Sequence, residues 1–149
     1  MAYAITNPPE RASLWIHGVE FILDKQDKEL IEALFPTGSR QIRNRVYGAI
    51  HTKTPEGERA DAYLRRILAD FILRDEGKSI AKGYAVEVRD GDPTNLTRAN
   101  LKLVFNRDRG EGDFRRRNGY QTHRIVEIRL RALKEGRDPD EAIREAHND

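Results

Sequence analysis

The sequence predicts an α+β fold, a small antiparallel sheet with helices and a C-terminal helical tail. Three observations point there. Short runs rich in aromatic and β-branched residues occupy the first third. Apolar stripes at helical spacing recur near residues 30, 67 and 125. A turn-rich segment, Asp90-Gly-Asp-Pro-Thr-Asn95, stands between two strand-like runs. At 149 residues the chain is long enough for one domain with a modest core.

Residues 14–23, LWIHGVEFIL, read as two short strands, or one bent strand, around His17-Gly18. Asp24 is placed to cap a following helix, with Asp27 near its positive end. Leu30, Ile31, Leu34 and Phe35 form that helix's apolar stripe, and Pro36 with Gly38 ends it. Residues 40–51 alternate as a half-buried strand. Ile42, Val46 and Ile50 fall on one face, and Gln41, Arg43, Arg45, Tyr47 and His51 on the other. Thr54-Pro-Glu-Gly57 is a turn. Residues 59–74 are expected to be helical, burying Tyr63, Leu64, Ile67, Leu68, Phe71 and Ile72, with Gly77 just past the end. Strands are expected at 84–88 and 101–105, then a polar, arginine-rich stretch through Arg117. A helix over 122–135 carries Ile125, Ile128, Ala132 and Leu133 on one side and stops at Gly136. Asp138-Pro139 opens a last short helix with Ala142, Ile143 and Ala146.

The ionic surface is heavy, with 35% charged residues and a net charge of +2. Its distribution is uneven. From Arg98 to Arg131 there are ten Lys/Arg and four Asp/Glu, a local +6, which leaves −4 for the remainder. Such a window suits phosphate, although charge runs are commonly only solvated faces. No run approaches the roughly 18 apolar residues of a membrane helix. The opening Met-Ala-Tyr-Ala lacks a signal-peptide core, so no membrane partner and a cytoplasmic setting are expected. The absence of cysteine excludes disulfides and thiolate metal sites.

Three stretches occur in order: Phe21-Ile-Leu-Asp24 with Asp27 and Leu30, then Ala62-Tyr-Leu-Arg-Arg-Ile-Leu68, then Val86–Val104 with its Asp-Gly-Asp turn, Asn and Asn-Leu. In these, over residues 14–118, the chain resembles the HNH family of phage homing endonucleases. The first is similar to that family's opening, the second to its helix, with Arg65 in the usual histidine place, and the third to its ββα-metal motif. The resemblance implies three parts: an N-terminal strand and helix region at 1–83, a degenerate HNH ββα-like motif at 84–118, and the helical tail at 119–149.

In that motif a first-strand histidine serves as general base, while a carboxylate and a helix ligand hold one divalent cation. Carried over residue by residue, Glu87 falls on the carboxylate position and Val88 on the histidine position. Asn100 falls on the bracing Asn and Arg109 on the helix ligand. Valine cannot accept a proton, and a guanidinium repels a cation. The resemblance therefore implies a scaffold without its catalysis: no catalytic residue, no metal and no cofactor, magnesium entering only under a nuclease reading. Asp90, Gly91 and Asp92 read as turn formers. His17 and His147 read as surface residues, and His51 and His123 as side chains that could approach a site in space.

The expected function is DNA binding on an inactive endonuclease scaffold of phage origin. Arg43, Arg45, Arg98, Lys102, Arg107, Arg109, Arg115, Arg116, Arg117 and Arg124 are the expected contacts to double-stranded DNA. Two alternatives stay open. One is a divergent metal-dependent nuclease using Glu87 with Asp90 or Asp92. The other is a phage regulator that grips a host protein. The tail at 132–149, with three basic and six acidic residues, is the natural element for such a partner or for a homodimer.

Overall fold

A computed structural model describes residues 9–43, 47–78, 84–105 and 113–148, excluding the side chains of 84, 105 and 113–120. The fold is α+β, with helices set around small antiparallel sheets. Strands β1 (Arg11–Ile16) and β2 (Val19–Asp24) pair as a hairpin. His17 and Gly18 both take positive φ, 48° and 82°, which fits the right-handed twist of a two-residue connection. Alternate residues Leu14, Ile16, Phe21 and Leu23 are buried, and Trp15 on the opposite face is 62% exposed.

Helix α1 (Lys25–Leu34) follows directly, with Asp24 at its N-cap position. The Asp24 side chain makes no capping bond, however, so capping is not what holds this carboxylate in place. Burial, then the neighbouring charge of Asp27, raises its pKa above the ordinary value.

The stretch read as one strand over 40–51 is two. Strands β3 (Ser39–Arg43) and β4 (Tyr47–Lys53) run antiparallel, and β5 (Arg59–Tyr63) pairs with the other edge of β4. Val46 and Arg45 lie outside the described residues. Pairing Ile42 with Gly48 and Arg43 with Tyr47 leaves the expected division of faces intact for the residues described. The core face carries Ile42, Gly48, Ile50, Thr52, Ala60 and Ala62.

The helix expected over 59–74 begins only at Leu64, as α2 (Leu64–Asp75). Leu64, Ile67, Leu68, Phe71 and Leu73 are buried, whereas Tyr63 and Ile72 are half-buried. Strands β6 (Tyr84–Val88) and β7 (Leu101–Phe105) are antiparallel. The segment between them also pairs with β2. The Ile22 N–H donates to the Thr94 carbonyl (2.9 Å), and the Leu96 N–H to the Ile22 carbonyl (2.8 Å).

Helix α3 (Asp113–Lys134) starts nine residues before the expected 122, absorbing part of the arginine-rich stretch, and it packs on α1, α2 and β5. Gly136, at φ 73°, closes it. Helix α4 (Pro139–Asn148) folds back on α3, its first turn capped by the Asp138 carboxylate accepting from the Asp140 N–H (3.1 Å). One hydrophobic cluster joins Phe21, Leu64, Leu68, Val86, Leu101, Ile125 and Ile143, so the tail shares the body's core. Leu133 stays 37% exposed.

Gly57 shows how closely the tail is seated. Its φ is 86°, and a Cβ there would lie 2.5 Å from the His147 ring. Gly57→Ala should lower stability by about 1–2 kcal/mol, mainly through left-handed strain, because the exposed His147 ring can turn aside. Adding His147→Ala should therefore recover little of the loss. Equal urea midpoints for parent and Gly57→Ala would show that this turn accommodates a left-handed alanine without strain.

Candidate nucleic-acid interface

The β6–β7 unit is organised by one buried amide. Asn100, 8% exposed, donates from Nδ2 to Asp90 Oδ1 (2.9 Å) and to the Asn95 carbonyl (2.8 Å). Its Oδ1 accepts from the Asp90 N–H (3.1 Å), and its own carbonyl from the Arg89 N–H (2.7 Å). Asp90 Oδ1 accepts in addition from the Asp92 N–H, and Oδ2 from the Asn95 amide. Those donors, the Asp92 backbone first, hold the Asp90 carboxyl below the ordinary range. Asp92 Oδ1 accepts from the Thr94 N–H (2.9 Å) and hydroxyl (2.7 Å). Both aspartates are thus engaged in shaping the turn.

Among the described residues, Glu87 and the turn carboxylates do not gather at one point. Glu87 is exposed and lies across from Lys102. The Asp90 oxygens both serve as acceptors within the loop. Val88 pairs with Leu101 on the side of the hairpin that packs against the core. Arg109 lies outside the described residues. Among the described residues no three His, Asp or Glu side chains gather as a metal would require.

Of the expected DNA contacts, the side chains of Arg43, Arg98, Lys102 and Arg124 are described. Arg98 is turned inward. Its Nε and Nη2 meet the two Asp27 oxygens at 2.9 and 2.8 Å, and Nη1 meets Asp75 Oδ2 at 2.6 Å. Arg124 lies bidentate on Glu56, at 2.9 and 2.6 Å. Arg43 is paired with Asp61 at 2.9 Å but keeps 38% of its side chain exposed. Lys102 is exposed on β7. Arg115, Arg116 and Arg117 fall in the first turns of α3, with side chains outside the description; Arg45, Arg107 and Arg109 are outside it altogether.

The outer face of β3–β4–β5 is the more concentrated polar surface. Gln41, Arg43, Tyr47, His51, Lys53, Arg59, Asp61 and Tyr63 share it by strand register. Asp61 holds Arg43 and lies 3.2 Å from His51 Nδ1. Burial raises the Asp61 pKa, but hydrogen bonds from Arg43 and His51 outweigh it, and the net shift is downward. The Arg65 guanidinium stacks over the Tyr47 ring at 4.2 Å and donates to the Val86 carbonyl (3.3 Å), joining this face to β6.

Of the two histidines that could approach a site, His51 is on this face. His123 is committed to Asp70, with Nδ1 2.9 Å from a carboxylate that also receives Arg74 Nε at 2.7 Å. Sequence reasoning missed the buried acids Asp27 and Asp70 and the buried Arg129. For the first, an acid in a helix's opening turn looks like dipole compensation, and nothing local signals a cation 71 residues away.

No family model, curated protein or solved structure matches the chain. No helix among the described residues is long and apolar enough to cross a membrane.

Proposed function

We propose that the protein binds duplex DNA and does not cut it. The observation that carries this reading is the outer face of β3–β4–β5. In a chain of net charge +2, Arg43, Lys53, Arg59 and the adjoining Arg65 stand against the single acid Asp61, with Gln41, Tyr47 and His51 between them. Arg and Gln are the side chains best suited to bidentate reading of base edges, and a β-ribbon fits the major groove. Arg43 must exchange Asp61 for DNA, and that half-exposed pair is weakened by solvent screening. Lys102, Arg107, Arg109 and Arg115–Arg117 supply sequence-independent phosphate contacts.

The absence of cutting follows from Val88, Arg109 and the engaged turn carboxylates, as on an endonuclease scaffold that has lost its chemistry. The protein-partner alternative draws less support, because Pro139, Ala142 and Ile143 of α4 are buried against the body.

The test combines plasmid incubation in magnesium or manganese with DNA binding at several salt concentrations. The parent should bind without nicking. Arg115, Arg116 and Arg117 changed together to Ala should weaken all duplexes alike and flatten log affinity against log salt by up to about 3 units. Gln41→Ala and Arg43→Ala should instead shift sequence preference, by roughly 1–3 kcal/mol per lost base contact. Nicking by the parent would restore the nuclease reading. Neither binding nor nicking would favour a protein partner.

A further inference from the structure

Two grooves adjoin at the C-terminal end of α2 and share Asp75 and Arg98. The first, about 710 Å³, runs between α2 and the β6–β7 hairpin, with Leu73, Leu101 and Leu103 among its apolar lining and Arg89 and Lys102 at its edge. The second, about 570 Å³, lies between α1, α2 and α3, over Leu30, Phe71 and Leu130, with Arg131 and Lys134 at its edge.

Resting on the DNA reading above, we propose that one sugar–phosphate strand of the bound duplex follows these two grooves around the end of α2.

Cations fringe most protein surfaces, so the pairing pattern decides. Arg74, Lys78 and Arg98 are matched to Asp70, Glu76, and Asp27 with Asp75. Arg89, Lys102, Arg131 and Lys134 are exposed, and none is ion-paired to a described residue. Among the acids lining the grooves, Glu127 alone lacks an ion-pair partner among the described residues. Asp75 would repel phosphate at the junction, but Arg98 Nη1 holds it at 2.6 Å. A backbone strand alternates sugar faces with anionic phosphates, matching apolar floors edged by cations spread over two grooves. A small anion would instead need several donors converging on one point. The cations lie on β6–β7 and on the last turns of α3, apart from the sheet face that would read bases. Backbone and base contacts are thereby divided between surfaces.

The experiment measures duplex binding against salt for the parent, for Arg89→Ala with Lys102→Ala, and for Arg131→Ala with Lys134→Ala. Each pair should flatten the slope by about 1–2 units without changing sequence preference. Because the chain has no cysteine, Lys134→Cys gives a unique attachment point for an iron–EDTA cleaving probe. That probe should cut bound duplex at a defined backbone position, whereas one at Arg144→Cys on α4 should not. All four side chains are exposed, so urea midpoints should match the parent. A pair that lowers the midpoint is replaced by its Gln counterpart, which must show the same slope change. Parent-like slopes for both pairs, with DNA still bound, overturn the backbone path and leave the DNA reading standing. A parent that binds no duplex overturns both.

Discussion

Arg98→Ala will lower the stability of the protein by about 3 kcal/mol, because it strands the carboxylate of Asp27 in the interior. Asp27 is 1% exposed, and the Arg98 fork is bidentate upon it. The cost of removing one partner of a buried pair is set mainly by the charge left behind. Asp75→Asn removes the outer partner, 60% exposed in its side chain, and should cost less than about 1 kcal/mol. Changing Asp27 to Asn in the Arg98→Ala background should recover part of the loss, since a neutral amide is cheaper to bury. Urea melts of the four proteins supply the comparison. If Arg98→Ala unfolds at the parental midpoint, the clamp contributes nothing, and Arg98 returns to the candidates for the proposed phosphate contacts.

Arg129→Ala is expected to be the most damaging single change, at about 3–5 kcal/mol. This guanidinium, 5% exposed, donates from Nη1 to the Leu34 carbonyl and to Asp140 Oδ1, both at 2.7 Å, and from Nη2 to Thr52 Oγ1 at 3.1 Å. It also lies 4.6 Å from the Phe35 ring centre. One side chain therefore ties α3 to the end of α1, to β4 and to α4. Its partner predicts a pH dependence. Burial raises the Asp140 pKa, but hydrogen bonds from Thr37 and Arg129 and the charge of Arg129 prevail, so the folded value lies below the ordinary one. Between those two values the unfolded state binds more protons. The stabilisation is thus complete above the ordinary carboxylate range and is lost as pH falls through the depressed folded value. The stability gap between parent and Asp140→Asn should narrow with acidification. A gap that stays constant from neutral pH into the acid range would mean that Asp140 does not act through its charge.

The elements that were legible in the sequence share a property: their signals are local. The β6 and β7 boundaries follow from a turn vocabulary dense enough to leave no other reading, and Gly18, Gly77 and Gly136 mark real left-handed positions. Strand β5 was lost because its alternation is written in alanine. Ala60 and Ala62 face the core, but alanine buries little surface and is the best helix former, so the helical stripe beginning at Leu64 reads as if it extended backwards. The β3–β4 hairpin was hidden for a different reason. Side-chain parity on its described residues matches that of one continuous strand, so alternation alone cannot see the reversal.

The charged window from 98 to 131 misleads in a third way. Three of its cations, Arg98, Arg124 and Arg129, meet acids from outside it: Asp27 with Asp75, Glu56 and Asp140. Charge counted along the chain overstates the field in space wherever folding brings complementary segments together. The loop-bracing place that the resemblance implies for Asn100 is one where its side chain does hydrogen-bond across the turn, although nothing local to Asn100 in the sequence announces this.

The inward seat of Val88 also sets what this position can accept. A histidine there would place an imidazole on the core-facing side of the β6–β7 hairpin, opposite Leu101, where the valine now packs. Such a side chain would trade apolar contact for a polar ring in need of a hydrogen-bond partner. Packing alone therefore selects an apolar residue here, whatever surface the protein uses.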